Sequence, residues 1–446
     1  MTGTAYLAES RLEEVGGTPE LGLATALGRT PVGEVWNPGF FTGFLARPDV
    51  AAAALLMVAD VAGTNYADVS AARTAQQAAR DPVVTASGDR LRFESFSRDN
   101  GVYARFDLLP DGIHSGEVRF GTTNVDVNQP LRTALASVSR SEVLHLSVGD
   151  DELRVSTMED SHVERQVPLP ERWVRGFAET PLLARASRPA LEVTGPRILS
   201  FLGSLPKAPL PGPDVWLTPT PAGVRSVRRH VRGSLHLPGS LRLRAAHRIA
   251  RFATRLTVSV SPIGTTAWRF DLPGGSVTLL LTAGAWRGFS GEGSLLELLA
   301  RPEAEKTGRM LLNHLAWEPF VDPQDLAVSV GLGRDLVDAG LAWLSASGRL
   351  GYDLAEARWF HRELPVDTEL VLRSSPRLRS ARRLVETGAL QRTGDASWRL
   401  RGSTAEDYDV HREGERWACT CAWEQEHHGA RGPCKHVLAV LLADRA

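Results

Sequence analysis

The sequence predicts an α+β protein built from several domains, and three observations support that class. Apolar residues recur at helical spacing in the first 88 residues, whereas apolar and polar residues alternate through the centre of the chain. The final thirty residues contain all three cysteines of the protein, together with a histidine. With 446 residues, 43% of them hydrophobic, the chain is long enough to bury a sizeable core and to form several units.

The net charge of the chain and a search for targeting signals limit the classes of function that the sequence supports. The formal net charge is −1, so no global field selects a nucleic acid or a membrane. The start of the sequence lacks the basic and apolar stretches of a secretory signal, and the longest apolar run, residues 50–59, is too short to span a bilayer. Because thiols stay free for metal in a reducing compartment, we expect a cytoplasmic protein.

Residues 1–88 are predicted to form a helical N-terminal region. Pro48 and Asp49 are typical of a helix start, and that helix runs to residue 61. A second, more polar helix is predicted over residues 67–80.

Residues 89–205 and 206–300 are predicted to form two related modules, each a helix followed by a β-meander. Alternation marks strands at 91–96 and 102–108, and residues 128–138 fit a helix. A shift of 112 residues aligns the modules, pairing Leu131 with Leu243 and Phe177 with Phe289, and a tryptophan closes each copy, Trp173 and Trp286. The alternative is a coincidence between two sheets of similar periodicity. At fold level this unit resembles one domain of a sliding clamp, an analogy that implies no function.

The second module carries a basic stripe. Residues 215–270 contain ten arginines and no acidic residue. The stripe comprises one adjacent pair and four residues at helical spacing: Arg228, Arg229, Arg244, Arg248, Arg251 and Arg255. Such a stripe can contact phosphate groups or the acidic surface of a protein. The alternative is a solvated face whose charges pair with acids from other segments.

Residues 301–365 resemble a winged helix. Helices are predicted over 309–317, 323–330 and 334–347, with a wing over 349–361. A winged helix often reads the DNA major groove with its third helix. Here ten acidic residues oppose six basic ones between residues 303 and 363, a balance that disfavours duplex binding. We therefore expect this module to dock proteins.

Residues 366–446 end in a predicted metal site. Cys419 and Cys421 share one face of an extended strand, because side chains two residues apart point the same way. Positions two apart on a helix diverge by roughly 200°, so Cys434 must precede the apolar helix that carries His436. Three thiolates and an imidazole form the ligand set that Zn²⁺ prefers, and four protein ligands close the site. We therefore expect one structural zinc ion.

Two alternatives to this ligand set stay open. The cysteines could be ordinary core residues beside an incidental histidine, or a histidine of the intervening loop, His427 or His428, could replace a ligand.

The ligand pattern resembles a known motif. CxC, twelve intervening residues and CxH leading into an apolar helix resemble the SWIM zinc finger, and Tyr408 and Trp417 fit the strands that precede it. The whole chain loosely resembles bacterial SWIM zinc finger family proteins. Genes of that family typically lie beside those of MoxR-type AAA ATPases and von Willebrand factor A-domain proteins, so the resemblance implies these two protein partners.

Three functional hypotheses follow. The first is a non-enzymatic zinc-binding adaptor that recognises other proteins, and the second is a DNA-binding protein that uses the basic stripe. Residues 406–446 contain eight acids and five bases, so the finger alone is a poor phosphate binder. An enzyme ranks last, because the sequence has no nucleophile motif, no open metal site and no nucleotide-binding loop.

Overall fold

In the computed structural model, the chain is described for residues 10–36, 38–67, 81–149, 169–221, 223–290, 294–364, 375–401, 406–414, 416–428 and 432–444. Across these ranges no helix combines the length and the apolar character needed to cross a bilayer.

The described N-terminal residues are mainly β-structure, so the predicted helical N-terminus is wrong over residues 10–36 and 38–45. Its elements are β1 (Arg11–Val15), β2 (Thr18–Leu23), β3 (Leu27–Thr30), β4 (Gly33–Trp36), β5 (Phe41–Leu45) and α1 (Pro48–Gly63). Gly16 and Gly17 form the β1–β2 turn at φ of 59° and 83°, a backbone conformation that favours glycine. Helix α1 begins at Pro48, as predicted. Most of the second predicted helix, residues 68–80, lies outside the described residues.

The next part of the chain alternates strands and helices. Its first half contains β6 (Val83–Ser87), β7 (Leu91–Phe96), β8 (Val102–Leu108), β9 (Ile113–Val118), β10 (Phe120–Asn124), α2 (Gln129–Ser137), β11 (His145–Val148), α3 (Glu171–Ala186), β12 (Arg188–Thr194) and α4 (Arg197–Ser204). Its second half contains β13 (Val215–Thr220), β14 (Gly223–Val227), β15 (Leu235–Leu237), a 3-10 helix (Ser240–Arg248), β16 (Arg255–Val260), β17 (Thr266–Leu272) and β18 (Gly275–Leu281). The helix predicted at 128–138 is confirmed as α2, and its N-cap Asn128 accepts a hydrogen bond from Leu131 N–H.

These strands form one large sheet and two smaller ones. The large sheet has ten antiparallel strands in the order β12-β16-β17-β18-β8-β7-β6-β10-β3-β4. A five-stranded sheet has the order β1-β2-β11-β5-β9, with β2 and β11 parallel, and a three-stranded sheet has the order β14-β13-β15. Strands β8 and β18 pair over seven residues, so the two predicted modules share a continuous sheet.

The predicted repeat does not extend to the ends of the two aligned segments. Trp173, which closes the first copy, is buried in α3, whereas Trp286, which closes the second, lies in a turn with 79% of its surface exposed. Leu131 lies in an α-helix and its counterpart Leu243 in a 3-10 helix. The aligned segments therefore adopt different local structures at these positions.

The central strands separate two apolar cores. Phe93 and Phe106 face the first core, in which α1 packs against β7, β8 and the 3-10 helix. Phe96 and Tyr103 face the second core, which also contains α3 and the C-terminal part of the chain. Both faces of β7 and β8 are buried along their whole length.

Residues 294–361 contain helices followed by a hairpin. The elements are α5 (Ser294–Leu299), α6 (Pro302–Leu312), α7 (Pro323–Val330), α8 (Arg334–Ala346), β19 (Leu350–Asp353) and β20 (Arg358–His361). From α6 onward, this is the order of elements predicted for a winged helix. Asp322 caps α7 by accepting hydrogen bonds from Gln324 and Asp325 N–H, and Gly331 ends it in the left-handed conformation. The assignment to the winged-helix class stays a prediction.

A buried ionic network fixes the β19–β20 hairpin to the large sheet. Arg362 donates to Glu94 Oε1 at 2.7 Å, and both side chains are 1% exposed. Asp353 lies 3.3 Å from Arg105, which also binds Asp107 at 2.9 Å. The predicted wing is therefore packed inside the protein, and its network partners come from β7 and β8.

The C-terminal unit joins a helix, a sheet and two short helices. Its elements are α9 (Pro376–Glu386), β21 (Leu390–Gly394), β22 (Ser397–Arg401), β23 (Asp407–Glu413), β24 (Arg416–Cys419), α10 (Ala422–His427) and α11 (Lys435–Ala443). The four strands form an antiparallel sheet in chain order. Helix α9 packs against α11, with Leu378 and Ala381 buried between them and the sheet.

Candidate metal centre

The C-terminal hairpin and two helix starts bring the predicted ligands together. Cys419 is the last residue of β24 and lies opposite Val410 of β23. Cys421 is the N-cap residue of α10, and Cys434 is the N-cap residue of α11. Helix α11 carries His436 in its first turn, as the sequence predicts. The strand is shorter than predicted, because the chain turns into α10 immediately after Cys421.

The geometry of the site suits a tetrahedral metal ion. The sulfur atoms of Cys419, Cys421 and Cys434 and a ring nitrogen of His436 all lie within 4.8 Å of one another. His436 Nδ1 lies 3.6 Å from Cys419 Sγ. Zinc bonds of about 2.3 Å to sulfur and about 2.0 Å to nitrogen, at a tetrahedral angle, separate these atom types by about 3.6 Å. All four side chains are at most 6% exposed, so the site is closed to bulk water.

The three thiols are electrostatically coupled, which suits a site for a cation. Hydrogen bonds with Cys421 and Cys434 raise the pKa of Cys419 well above its ordinary value, and hydrogen bonds with Cys419 and Cys434 lower the pKa of Cys421. For Cys434, a hydrogen bond with Cys419 lowers the pKa and one with Cys421 raises it, with a net rise to about 11. The sulfurs thus compete for one negative charge. A divalent cation removes the competition and allows three thiolates to coexist.

Comparison with known families decides what this segment is. Residues 408–444 match the family model of the SWIM zinc finger. The C-terminal segment is a SWIM zinc finger. Its Cys3His ligand set fits one structural zinc ion, as predicted, and the alternative of incidental core cysteines is wrong. No curated protein matches the chain.

A structural comparison covers other parts of the chain as well. The proliferating cellular nuclear antigen of Entamoeba histolytica is similar over 55% of this chain and 99% of its own, with 8% sequence identity and a TM-score of 0.33. The predicted likeness to a sliding clamp stays a prediction.

The two histidines of the intervening loop are not ligands in this arrangement. His427 ends α10 and packs edge-on against Trp423, with ring centroids 4.4 Å apart. His428 follows in the left-handed conformation at φ of 45°. Among the described residues, the metal-binding group consists of the four predicted ligands alone.

Helix α9 completes the SWIM finger, although it lies outside the matched segment. Arg377 donates to the carbonyl oxygen of Pro433 at 2.9 Å, and its guanidinium lies 4.3 Å above the Trp423 ring. Trp423 in turn donates to the carbonyl oxygen of Gly432 at 3.1 Å. Both carbonyls belong to the segment just before Cys434. The sequence gives no local signal of this support, because Arg377 lies 56 residues before Pro433.

An aromatic ring orients the histidine ligand. The Tyr408 ring stacks on His436 with a centroid distance of 4.3 Å and an interplanar angle of 22°. This stacking fixes the plane of the imidazole, and Nδ1 is the ring nitrogen that lies beside Cys419. Tyr408 was identified from sequence only as a strand residue.

The arginines of the basic stripe fall into two groups. Arg228 and Arg229 lie on an exposed turn after β14, and neither forms an ion pair with a described residue. The second group surrounds the 3-10 helix and is partly neutralised. Arg248 forms an ion pair with Asp60, and Arg255 lies 3.9 Å from Asp271. The guanidinium of Arg251 lies 4.5 Å from the centre of the Phe252 ring. Arg244 and Asp60 both line a cavity of about 400 Å³. The ligand role of all six arginines stays a prediction.

Proposed function

We propose that this protein is a non-enzymatic zinc-binding adaptor that docks other proteins. The observation that carries the proposal is the corner between α7 and α8. Val328 is 75% exposed and Leu336 is 44% exposed, and the exposed carboxylates of Asp325 and Asp335 flank them. These two exposed apolar side chains, here called the apolar patch, lie close in sequence to two exposed carboxylates, which fits a protein segment that presents apolar and basic side chains.

The same region is poorly suited to duplex DNA. From Gly340 to Ala346, the C-terminal half of α8 is buried, so a major groove could receive only the N-terminal half of the helix, which carries Asp335 and Asp338. The β19–β20 hairpin is fixed to the large sheet by the ionic network, which leaves no free wing. The acidic residues at the exposed corner would also repel phosphate groups.

The zinc ion has a structural role in this proposal. A site with four buried protein ligands leaves no coordination position for water or substrate, so metal-assisted hydrolysis is not favoured. The resemblance to bacterial SWIM zinc finger family proteins adds the identity of the partners. We propose a MoxR-type AAA ATPase and a von Willebrand factor A-domain protein.

The test is retention of these two partners on the immobilised, zinc-loaded chain after nuclease treatment. The variant Val328→Glu/Leu336→Glu should reduce retention at least tenfold, because it places charge in the apolar patch. The control Val32→Glu changes a side chain that is 89% exposed on the β3–β4 turn, and it should retain the partners. Equal retention by both variants would remove the α7–α8 corner from the proposal.

The second candidate function is DNA binding through the basic stripe. It is favoured by the exposed turn that carries Arg228 and Arg229, since uncompensated arginines beside a hairpin can contact phosphates. In the same experiment, loss of the partners on nuclease treatment, together with salt-sensitive DNA retention that Arg228→Glu/Arg229→Glu abolishes, would favour this candidate instead.

A further inference from the structure

A basic cleft lies beside the SWIM finger. Its volume is about 900 Å³, and its walls come from the C-terminal half of α9, the turn that follows it, strands β21 and β22, and the first residue of α11. The lining includes four cations, Arg383, Arg399, Arg401 and Lys435, and one carboxylate, Asp407. These residues are far apart in sequence, so only the fold brings them together.

Among the described residues, three of the four cations form no ion pair, and Arg401 lies opposite the lining carboxylate Asp407 in the β22–β23 pairing. Arg399 donates to Asp409 at 3.0 Å, which compensates its charge. Arg383, Arg401 and Lys435 form no ion pair with any residue in the described ranges. Three like charges around one cleft repel each other, and a bound anion relieves that repulsion.

The secondary structure sets the direction of these side chains. Leu400 is buried under the sheet, so Arg399 and Arg401, its neighbours on β22, lie on the opposite face. On α9, Leu378 and Ala381 face the core while Arg383 is exposed beside the cleft. Lys435 lies between Cys434 and His436 in the chain, so a zinc ion bound by these two residues would fix this wall of the cleft.

The residues that pack against the finger have a net charge opposite to that of the finger itself. Residues 406–446 are net acidic, which argued against phosphate binding by the finger alone. Residues 375–401, which pack against it, contain seven arginines and only two acids. The basic side chains that face the cleft therefore belong mostly to the helix and hairpin that precede the matched segment.

We propose that this cleft binds a ligand carrying a chain of phosphate groups. Arginine and lysine are the residues that recognise phosphate, and the volume lies within the range of ligand pockets while exceeding the size of a single phosphate. Leu384, Ala389 and Leu390 supply the apolar part of the lining, and none of the described residues that line the cleft is aromatic. A docked peptide relies on such anchors for affinity, whereas a phosphate chain needs mainly cations. The source can be a free polyphosphate compound or the backbone of a nucleic acid strand.

The test measures binding of two probes to the zinc-loaded full chain. Inorganic tripolyphosphate is titrated by calorimetry, and a fluorescein-labelled ten-nucleotide thymidine strand is titrated by fluorescence anisotropy. The variant Arg383→Gln/Arg401→Gln should weaken binding at least tenfold. For the strand, the slope of log affinity against log salt should fall by about 1.4, since each lost contact to a single strand removes about 0.7.

A matched control uses two exposed arginines of the same sheet that do not line the cleft. Arg392 and Arg412 donate only to nearby backbone carbonyls, so Arg392→Gln/Arg412→Gln removes the same charge and should change affinity less than twofold. Arg383→Lys/Arg401→Lys keeps the charge and should bind within about threefold of the wild-type chain. This lysine variant separates loss of charge from loss of folding.

The outcomes distinguish the two sources of the phosphate chain, and they separate this proposal from protein docking at α7–α8. If tripolyphosphate displaces the strand, the nucleic acid backbone occupies the cleft; if only tripolyphosphate binds, the ligand is a free phosphate compound. The proposal is overturned if neither probe binds, if the control variant loses as much affinity, or if a polyglutamate peptide binds and neither probe competes with it. The cleft proposal stands apart from protein docking at α7–α8, because Arg383→Gln/Arg401→Gln should leave partner retention unchanged.

Discussion

Removal of Arg362 should detach the β19–β20 hairpin from the large sheet. This side chain is 1% exposed, donates to Glu94 at 2.7 Å and to the carbonyl oxygen of Leu350 at 3.2 Å, and lies 4.6 Å from the Phe177 ring. In Arg362→Met, the Glu94 carboxylate keeps only its hydrogen bond from Tyr103. Leaving one charge of a buried pair without its partner costs about 3–5 kcal/mol.

Hydrogen exchange of the β19 and β20 amides gives the appropriate measurement, because it reports the local opening of the hairpin without requiring two-state unfolding of the whole chain. A loss of about 3 kcal/mol lowers the protection of these amides against exchange by a factor of about 10².

The double variant Glu94→Met/Arg362→Met removes both charges and should recover most of that protection. The exposed Arg358, which lies 3.8 Å from Asp322, provides the control, and Arg358→Met should cost under about 0.5 kcal/mol. Unchanged protection in Arg362→Met would refute the role given to the ionic network.

Two further predictions concern the SWIM finger. Cys434→Ala should release zinc and unfold α11, because the thiol side chain both supplies a metal ligand and caps that helix by accepting from Val437 N–H at 3.4 Å; a zinc-dye assay and far-ultraviolet circular dichroism measure this, and His427→Ala should keep its zinc. Arg377→Ala should retain zinc but accelerate its transfer to a chelator, since the finger loses a hydrogen bond and a cation–π contact that together contribute about 1–3 kcal/mol. Transfer at the wild-type rate would show that α9 does not stabilise the ligand loop.

Local signals in the sequence identified the metal site and several helices. Four soft ligands at short spacing define a zinc site without knowledge of distant residues, and Asp322 and Gly331 mark the ends of α7 by capping chemistry that acts within a few residues. Predictions of this kind depend on interactions close in sequence, which is why the structure agrees with them.

The N-terminal strands and the burial of the central sheet depend on distant partners. Strands β3 and β4 have only four residues each, too few to show a clear period, and β3 joins the large sheet through β10, almost a hundred residues later. Arg92 and Glu94 alternate with apolar residues as on a solvated strand, yet both are buried because β20 and its flanking residues cover them. No pattern within β7 itself could show that other elements bury these two side chains.

The pairing of β8 with β18 affects the synthesis of the chain. Strand β8 ends at Leu108 and its partner begins at Gly275, so at about 5–20 residues per second the ribosome needs roughly 8–35 s to deliver the partner strand. During that interval β8 presents an apolar strand edge that can pair with another nascent chain. We therefore expect chaperones to bind β8 during translation. A chain truncated at residue 205, which lacks β18, should aggregate.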